Sequence, residues 1–313
     1  MARTRFAPDR QLTSRMVIVM FLLGLVYVAA IGVAVALAPK GLLPILIIVI
    51  GGFFFAQWFL SDKIALFSMN AKLVGPNDSA EAHRLHAVLD RLCALADMPK
   101  PRVAIAETDM PNAFATGRNA DHAVVCATRG ILRRLENDEL EGVLAHEMSH
   151  VAHKDVAVMT IASFLGIIAA LVVRFAFYSE LFGGDRRGNN NGNNQSALPV
   201  ILVVMVVGMV VYAISFLLIR MLSRYRELAA DRSGALLTGK PSALASALQK
   251  VTGDMARIPT RDLRAAEPLN AFYFAPAFSK RGAQVTLSGL FSTHPSLERR
   301  LEELAKISRQ LSQ

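Results

Sequence analysis

Residues 140–155 read LEGVLAHEMSHVAHKD, and within them His146, Glu147 and His150 fall in the order H-E-x-x-H. On an α-helix, side chains four positions apart stand one above the other, with about 5–6 Å between their Cβ atoms, so two imidazoles at that spacing can converge on one ion. Such a nitrogen pair suits zinc. Glu147 follows the first ligand and can reach the ion's open position, where it would take a proton from the attacking water as general base. The flanking residues predict the helix: Asn137 as N-cap, Asp138 and Glu139 at the positive helix start, and Leu140, Val143, Leu144 and Val151 at helical spacing. Two surface histidines on an amphipathic helix would give the same pattern, so the chemistry depends on a third ligand.

Residues 223–231, SRYRELAAD, offer one. The Glu227 carboxylate is an ordinary partner for a two-histidine zinc site and leaves a position for water. Asp231 lies one turn further on and could accept a hydrogen bond from the distal N–H of His146 or His150, fixing the tautomer that metal binding requires. The residues alone leave a second reading open, in which Glu227 and Asp231 are surface partners of Arg224 and Arg226. His153 shares the ligand face but lies about 10 Å along the axis from His146, too far to share the ion. His83 and His86 are three apart without a carboxylate or thiol partner and read as solvent-facing. His294 precedes Pro295 at a helix start, which fits a capping or core histidine and equally a donor to the oxyanion of the reaction. Cys93 and Cys126 stand apart with no C-x-x-C and read as buried, reduced thiols.

The elements that must bring these segments together include a membrane. Of 313 residues 53% are hydrophobic and only 19% charged, too apolar a balance for an ordinary soluble domain. Four stretches, 16–37, 42–60, 156–178 and 198–218, are each about 20 residues long, the length that crosses the hydrocarbon core. Arginines and lysines in the N-terminal tail, after the second span, before the third and after the fourth fall on one side if all four are threaded. That side is expected to be the cytoplasm, with both termini and the catalytic residues on it. The net charge of +9 then has a membrane explanation. No basic run with interleaved aromatics points to nucleic acid, and Arg174 alone inside a span is thin support for a transporter.

Four blocks follow: a basic tail with the first membrane hairpin (1–60), a lobe carrying the H-E-x-x-H helix (61–155), a second membrane hairpin with a Gly/Asn-rich connector at 183–196 (156–218), and a lobe with the third ligand and C-terminal helix (219–313). In the first lobe, residues 78–81 start an amphipathic helix that runs toward Pro99. Segments 102–107 and 122–128 read as strands, and the hairpin between them offers an edge on which an extended peptide could be held by main-chain hydrogen bonds. In the second lobe, residues 241–255 read as a helix, and Phe272, Tyr273, Phe274 and Phe278 as core packing or a substrate channel.

Four motifs also carry a resemblance: H-E-M-S-H at 146–150, S-R-x-R-E-x-x-A-D at 223–231, P-N-A-F-A-T-G at 111–117, and S-T-H-P-S-L-E-R-R at 292–300. In this order and spacing, over most of the chain, the sequence resembles the HtpX-type membrane zinc metalloproteases, relatives of the CAAX prenyl endoproteases. The resemblance implies an α+β, mainly α, fold: a gluzincin-like zinc protease domain combined with four transmembrane helices. It implies one Zn2+ held by His146, His150 and Glu227, with Glu147 as catalytic base, His294 near the cleft, and Asn112, Ala113 and Arg300 at substrate-binding positions. It further implies membrane protein substrates, misfolded or damaged. A catalytically idle zinc-binding scaffold or chaperone and a CAAX-directed peptidase are the alternatives. The longer basic tail and the Gly/Asn loop depart from the family pattern.

Overall fold

The computed structural model describes residues 6, 9–37, 43–117, 119–154, 158–159, 162, 198–255 and 294–313. The expectations for the span at 156–178, the connector at 183–196 and the aromatic group at 272–278 lie outside the described residues. Eight α-helices are described: α1 (Arg10–Leu37), α2 (Leu43–Ser68), α3 (Ala80–Ala96), α4 (Arg129–Arg134), α5 (Asn137–Ala152), α6 (Leu198–Thr238), α7 (Pro241–Met255) and α8 (Leu297–Leu311). Four strands join them: β1 (Ala71–Leu73), β2 (Arg102–Ala106), β3 (Ala113–Thr116) and β4 (Val124–Thr128). The architecture is α+β and mainly helical. Contacts divide the chain into two units: Met1–Ser14, Phe59–Ala157 and Arg220–Gln313 form the first, Arg15–Trp58 and Val158–Ile219 the second.

In the first unit the side-chain alternation of the strands builds the core. Val103 and Ile105 of β2, with Val125 and Ala127 of β4, face a cluster filled by Leu85, Leu89 and Leu92 of α3 and Leu140, Val143 and Leu144 of α5. Ala104, Ala106, Val124 and Cys126 point the other way, onto Ala65 of α2 and Met69 just beyond its end. A strand covered on both faces has no use for polar residues, which is why RVAIA and VVCAT are so apolar. The sheet order is β1-β2-β4-β3. The two strands read from the sequence do not form a hairpin with each other: β2 and β4 run parallel, with Arg102 opposite Val124. The segment between them is itself a strand, β3, antiparallel to β4 at the sheet edge, with Phe114 opposite Cys126. Gly117 turns the chain at φ +131°, where a Cβ would meet His122 O at 2.6 Å.

Helix starts shift by one residue from the sequence reading. Ser79 caps α3, accepting from Ala82 N at 3.0 Å, while Asp78 accepts from Gly75 N at 2.7 Å. His86 is buried with Nε2 3.0 Å from Val74 O, so only His83 of that pair faces solvent. Glu136 caps α5, its N–H donating to Glu139 Oε2 at 2.9 Å. Asn137 serves another purpose: its Oδ1 accepts from Arg84 Nε at 2.7 Å, and the same guanidinium donates to the carbonyls of Leu132 and Leu135, both at 2.6 Å. Across α5 lies α7, whose Leu244, Leu248 and Val251 join the core. Glu139 ties the pair together, accepting from Ser246 Oγ at 2.6 Å and Lys250 Nζ at 2.8 Å. Helix α8 closes the cluster with Leu304 and Ile307.

The described helices of the second unit expose apolar side chains. Helix α1 exposes Val17, Ile18 and Phe21, and α6 exposes Leu202, Val206 and Met209, the surface a helix offers to lipid rather than water. Among the described residues, two stretches are long and apolar enough to cross a membrane, Arg10–Ala29 and Met205–Thr238. Residues 43–60 of the expected second span fall within α2, which runs unbroken through Gly51 and Gly52.

Candidate active site

Helix α5 places the H-E-x-x-H residues where water is scarce, with Glu139 to His150 buried throughout. The imidazoles of His146 and His150 stand edge to face, ring centroids 4.9 Å apart at 87°. Glu227 arrives from α6. Its Oε2 is 3.7 Å from His146 Nε2 and its Oε1 is 3.6 Å from His150 Nε2. Donors on a tetrahedral zinc with arms of about 2.0–2.1 Å are about 3.3–3.5 Å apart, so the Glu227 carboxylate stands close to the spacing from each histidine that a shared ion requires. One ligand atom from each of His146, His150 and Glu227 lies within 4.8 Å of the others. Two neutral-capable nitrogens and one carboxylate are also the right chemical set for a divalent ion with a position to spare. The donor set fits a metal.

The groups around it fix the donors. Asp231 lies one turn beyond Glu227, with Oδ1 2.8 Å from His146 Nδ1. A proton held there leaves Nε2 with its lone pair toward the ion position. Arg300, on α8, is turned inward and grips Asp231 with Nε to Oδ2 at 2.7 Å and Nη2 to Oδ1 at 2.6 Å. His294 is buried with Nδ1 3.2 Å from Glu227 Oε2. Both carboxylates are buried, so neither is a surface residue, although Arg226 Nη2 does lie 3.8 Å from Glu227 Oε1. His153 ends α5 outside this group, Nδ1 lying 2.9 Å from Ser149 O.

Burial and charge act in opposition here. Burial pushes the carboxyl of Glu227 up, but His294, His146 and His150 outweigh it and hold the group well below the usual carboxylate range. For Asp231, burial is likewise overcome, by Arg300 and His146. His146 is pulled down by burial and lifted more strongly by Asp231 and Glu227, to about 9. Glu147 goes the other way: burial raises it, and the neighbouring histidines only partly offset the rise. A carboxylate displaced upward is better matched to taking and returning a proton near neutrality.

Strand β3 borders the site. Asn112 and Ala113 are fully buried, and Asn112 is fastened to β4 by its N–H to Thr128 Oγ1 and its carbonyl from Thr128 N, both at 2.9 Å. Ala115 N donates to Glu147 Oε2 at 3.0 Å. Neither this contact nor the role of Gly234 is evident from the residues taken singly. A Cβ at Gly234 would lie 2.9 Å from His146 N, so only glycine lets α6 approach the ligand helix this closely. Its signal was the spacing: Glu227, Asp231 and Gly234 follow i, i+4, i+7, one face of a helix.

A buried two-histidine, one-carboxylate centre with a raised glutamate beside the first histidine is that of a metallopeptidase, here in a chain with helices suited to a membrane. The comparisons with known proteins give the family. The model of Peptidase family M48 matches residues 79–308. The chain is 60% identical over 311 residues to Protease HtpX homolog 1 of Streptomyces coelicolor, covering 99% of this chain and 97% of the relative. It is 46% identical to Protease HtpX homologs of Moorella thermoacetica, over 99% of both chains, and of Methanosarcina mazei, over 99% of this chain and 100% of the relative. In fold it is similar to the crystal structure of Ste24p from S. mikatae, with TM-score 0.50 and 16% identity over 95% of this chain and 67% of that one. The chain belongs to peptidase family M48, among its HtpX-type members, and is a membrane metalloprotease.

Proposed function

We propose that this protein is a zinc-dependent endopeptidase that cleaves misfolded or damaged membrane proteins at segments exposed on the cytoplasmic side. In this reading four transmembrane helices anchor two catalytic lobes, 61–155 and 219–313, and both termini are cytoplasmic. The observation that carries it is the meeting of Glu227 with His146 and His150, some 3.6–3.7 Å apart although 77 residues separate Glu227 from His150 in sequence (227 − 150).

His146, His150 and Glu227 would hold one Zn2+, which supplies Lewis acidity toward a peptide carbonyl. Asp231 keeps the His146 proton on Nδ1, and Arg300 keeps Asp231 charged and in place. Glu147 removes a proton from the attacking water and delivers it to the leaving amine. His294, standing against Glu227, offers a ring N–H to the oxyanion. The edge of β3 around Asn112 and Ala113 borders the path of the peptide; Arg300, expected at a substrate-binding position, is buried against Asp231 and so supports the His146 side of the site instead of the peptide.

Glu147→Gln is the test. The purified variant should retain zinc and its melting temperature and lose cleavage of a membrane protein substrate; normal turnover would refute the assignment. Chelation followed by zinc replacement should abolish and restore cleavage by the parent protein, which an idle zinc scaffold would not do.

A further inference from the structure

We infer that the backbone N–H of Ala115 positions the Glu147 carboxylate, so that the edge strand holds the base as well as bordering the cleft. The inference rests on Glu147 being the base, as proposed above. Ala115 N lies 3.0 Å from Glu147 Oε2, and among the described residues this is the one hydrogen bond reaching that carboxylate. Its direction follows from the ladder. Antiparallel strands turn alternate residues toward their partner, and Asn112 faces β4 through its bonds to Thr128. Ala113 and Ala115 therefore point their N–H groups away from β4. On an ordinary edge strand such a donor awaits another chain; here the base of the adjacent helix α5 takes it.

A glutamate side chain has several rotatable bonds, and a proton acceptor must be held within a fraction of an ångström of its working position. With Oε2 fixed by Ala115, Oε1 is the acceptor: one O–H bond of water breaks, its proton moves to Oε1, and the water oxygen bonds to the carbonyl carbon as the C=O π pair moves onto the carbonyl oxygen. The same proton later passes to the amine nitrogen as the C–N bond breaks. A peptide laid along β3 finds the Ala115 donor already engaged, so removal of that donor should act on the chemical step and not on binding.

The experiment replaces Ala115 by its α-hydroxy analogue, lactate, which turns the amide into an ester and deletes only the N–H. The full-length protein in detergent should keep its bound metal and show kcat lowered about tenfold, the scale of one hydrogen bond to a charged group, with KM within twofold. In a Glu147→Asp background, where the carboxylate is a methylene too short to reach Ala115, the ester should have no further effect. Unchanged kcat, a raised KM at constant kcat, or an equal loss in the Glu147→Asp background would each overturn the assignment. Should the ester variant not fold, Ala115→Gly, which keeps the donor, should retain kcat while Ala115→Pro loses it; equal kcat in both would overturn it. Turnover by Glu147→Gln would instead remove the premise, a result distinct from an ester that changes nothing.

Discussion

Arg300 holds Asp231 by two parallel hydrogen bonds, 2.7 and 2.6 Å, with both side chains almost entirely out of water. The pair links the C-terminal helix to the metal site, because the other side of Asp231 meets His146 Nδ1. Removing the guanidinium strands a buried carboxylate, a change that costs about 3–5 kcal/mol in comparable buried pairs. Arg300→Ala is therefore expected to lower the melting temperature and to weaken metal binding about 10–100-fold, as loss of a group supporting a metal ligand does. Arg300→Lys, a point charge unable to make the fork, should recover only part of both. Competition against a chelator of known affinity measures the second effect, and an Arg300→Ala protein that holds metal as tightly as the parent would contradict it.

Gly234 sets the distance between α6 and α5. A methyl group there would lie 2.9 Å from His146 N and 3.2 Å from Ala145 C, both backbone atoms that cannot rotate aside. Gly234→Ala must push the helices apart, at a cost of about 1–3 kcal/mol in a packed interior, and it withdraws Glu227 and Asp231 from the histidines together. Metal content after dialysis should fall more than the melting temperature suggests. A Gly234→Ala protein with full metal content and activity would show that the close approach is dispensable.

Much of the candidate site is legible because its donor groups repeat at helical spacing: His146 and His150 mark one helix face, Glu227 and Asp231 another. The helix Pro241–Met255 is legible from the proline at its start and the apolar positions that follow. The sheet was not. Parallel pairing of β2 with β4 is set by what covers both faces, Ala65 and Met69 on one side and α3 and α5 on the other, and no local pattern in RVAIA or VVCAT reveals its partner. His86 differs from His83 in lying on the apolar face of its helix, between Ala82 and Leu89, and its buried ring meets the carbonyl of Val74; the helical spacing carries that signal, and the reading of both histidines as solvent-facing overlooks it. Arg300 could be aligned with a motif, yet its grip on Asp231 depends on how α8 docks, which a sequence does not state.

Cys126 lies in β4 with no exposure, and burial pushes its thiol up to about 12; Cys93, on α3, is pushed up to about 11, by burial first and by Asp90 second. Since the thiolate is the reactive species, neither should be alkylated at pH 8 in the folded protein. Mass spectrometry after iodoacetamide should show no adduct on native protein and two on denatured protein. Rapid native labelling of Cys126 would mean that the sheet opens on the outer face lined by α2.

Glu139 provides an acid-sensitive clasp away from the candidate metal site. Burial pushes its carboxyl up, but the Lys250 ammonium and the Ser246 hydroxyl outweigh that and hold it below its ordinary value. A carboxyl depressed in the folded state contributes stability that is present in full above its unfolded value, about 4.3, and is lost as the pH falls through the folded value. Glu139→Gln should therefore melt at a lower temperature than the parent at pH 7, and the gap should narrow on acidification below about pH 4.3 as the parent loses the same ion pair. Because Glu227 and Asp231 titrate identically in both proteins, the difference between the two melting curves isolates Glu139. A gap that stays constant between pH 7 and pH 3 would place the stabilisation in packing between α5 and α7 rather than in the charge of Glu139.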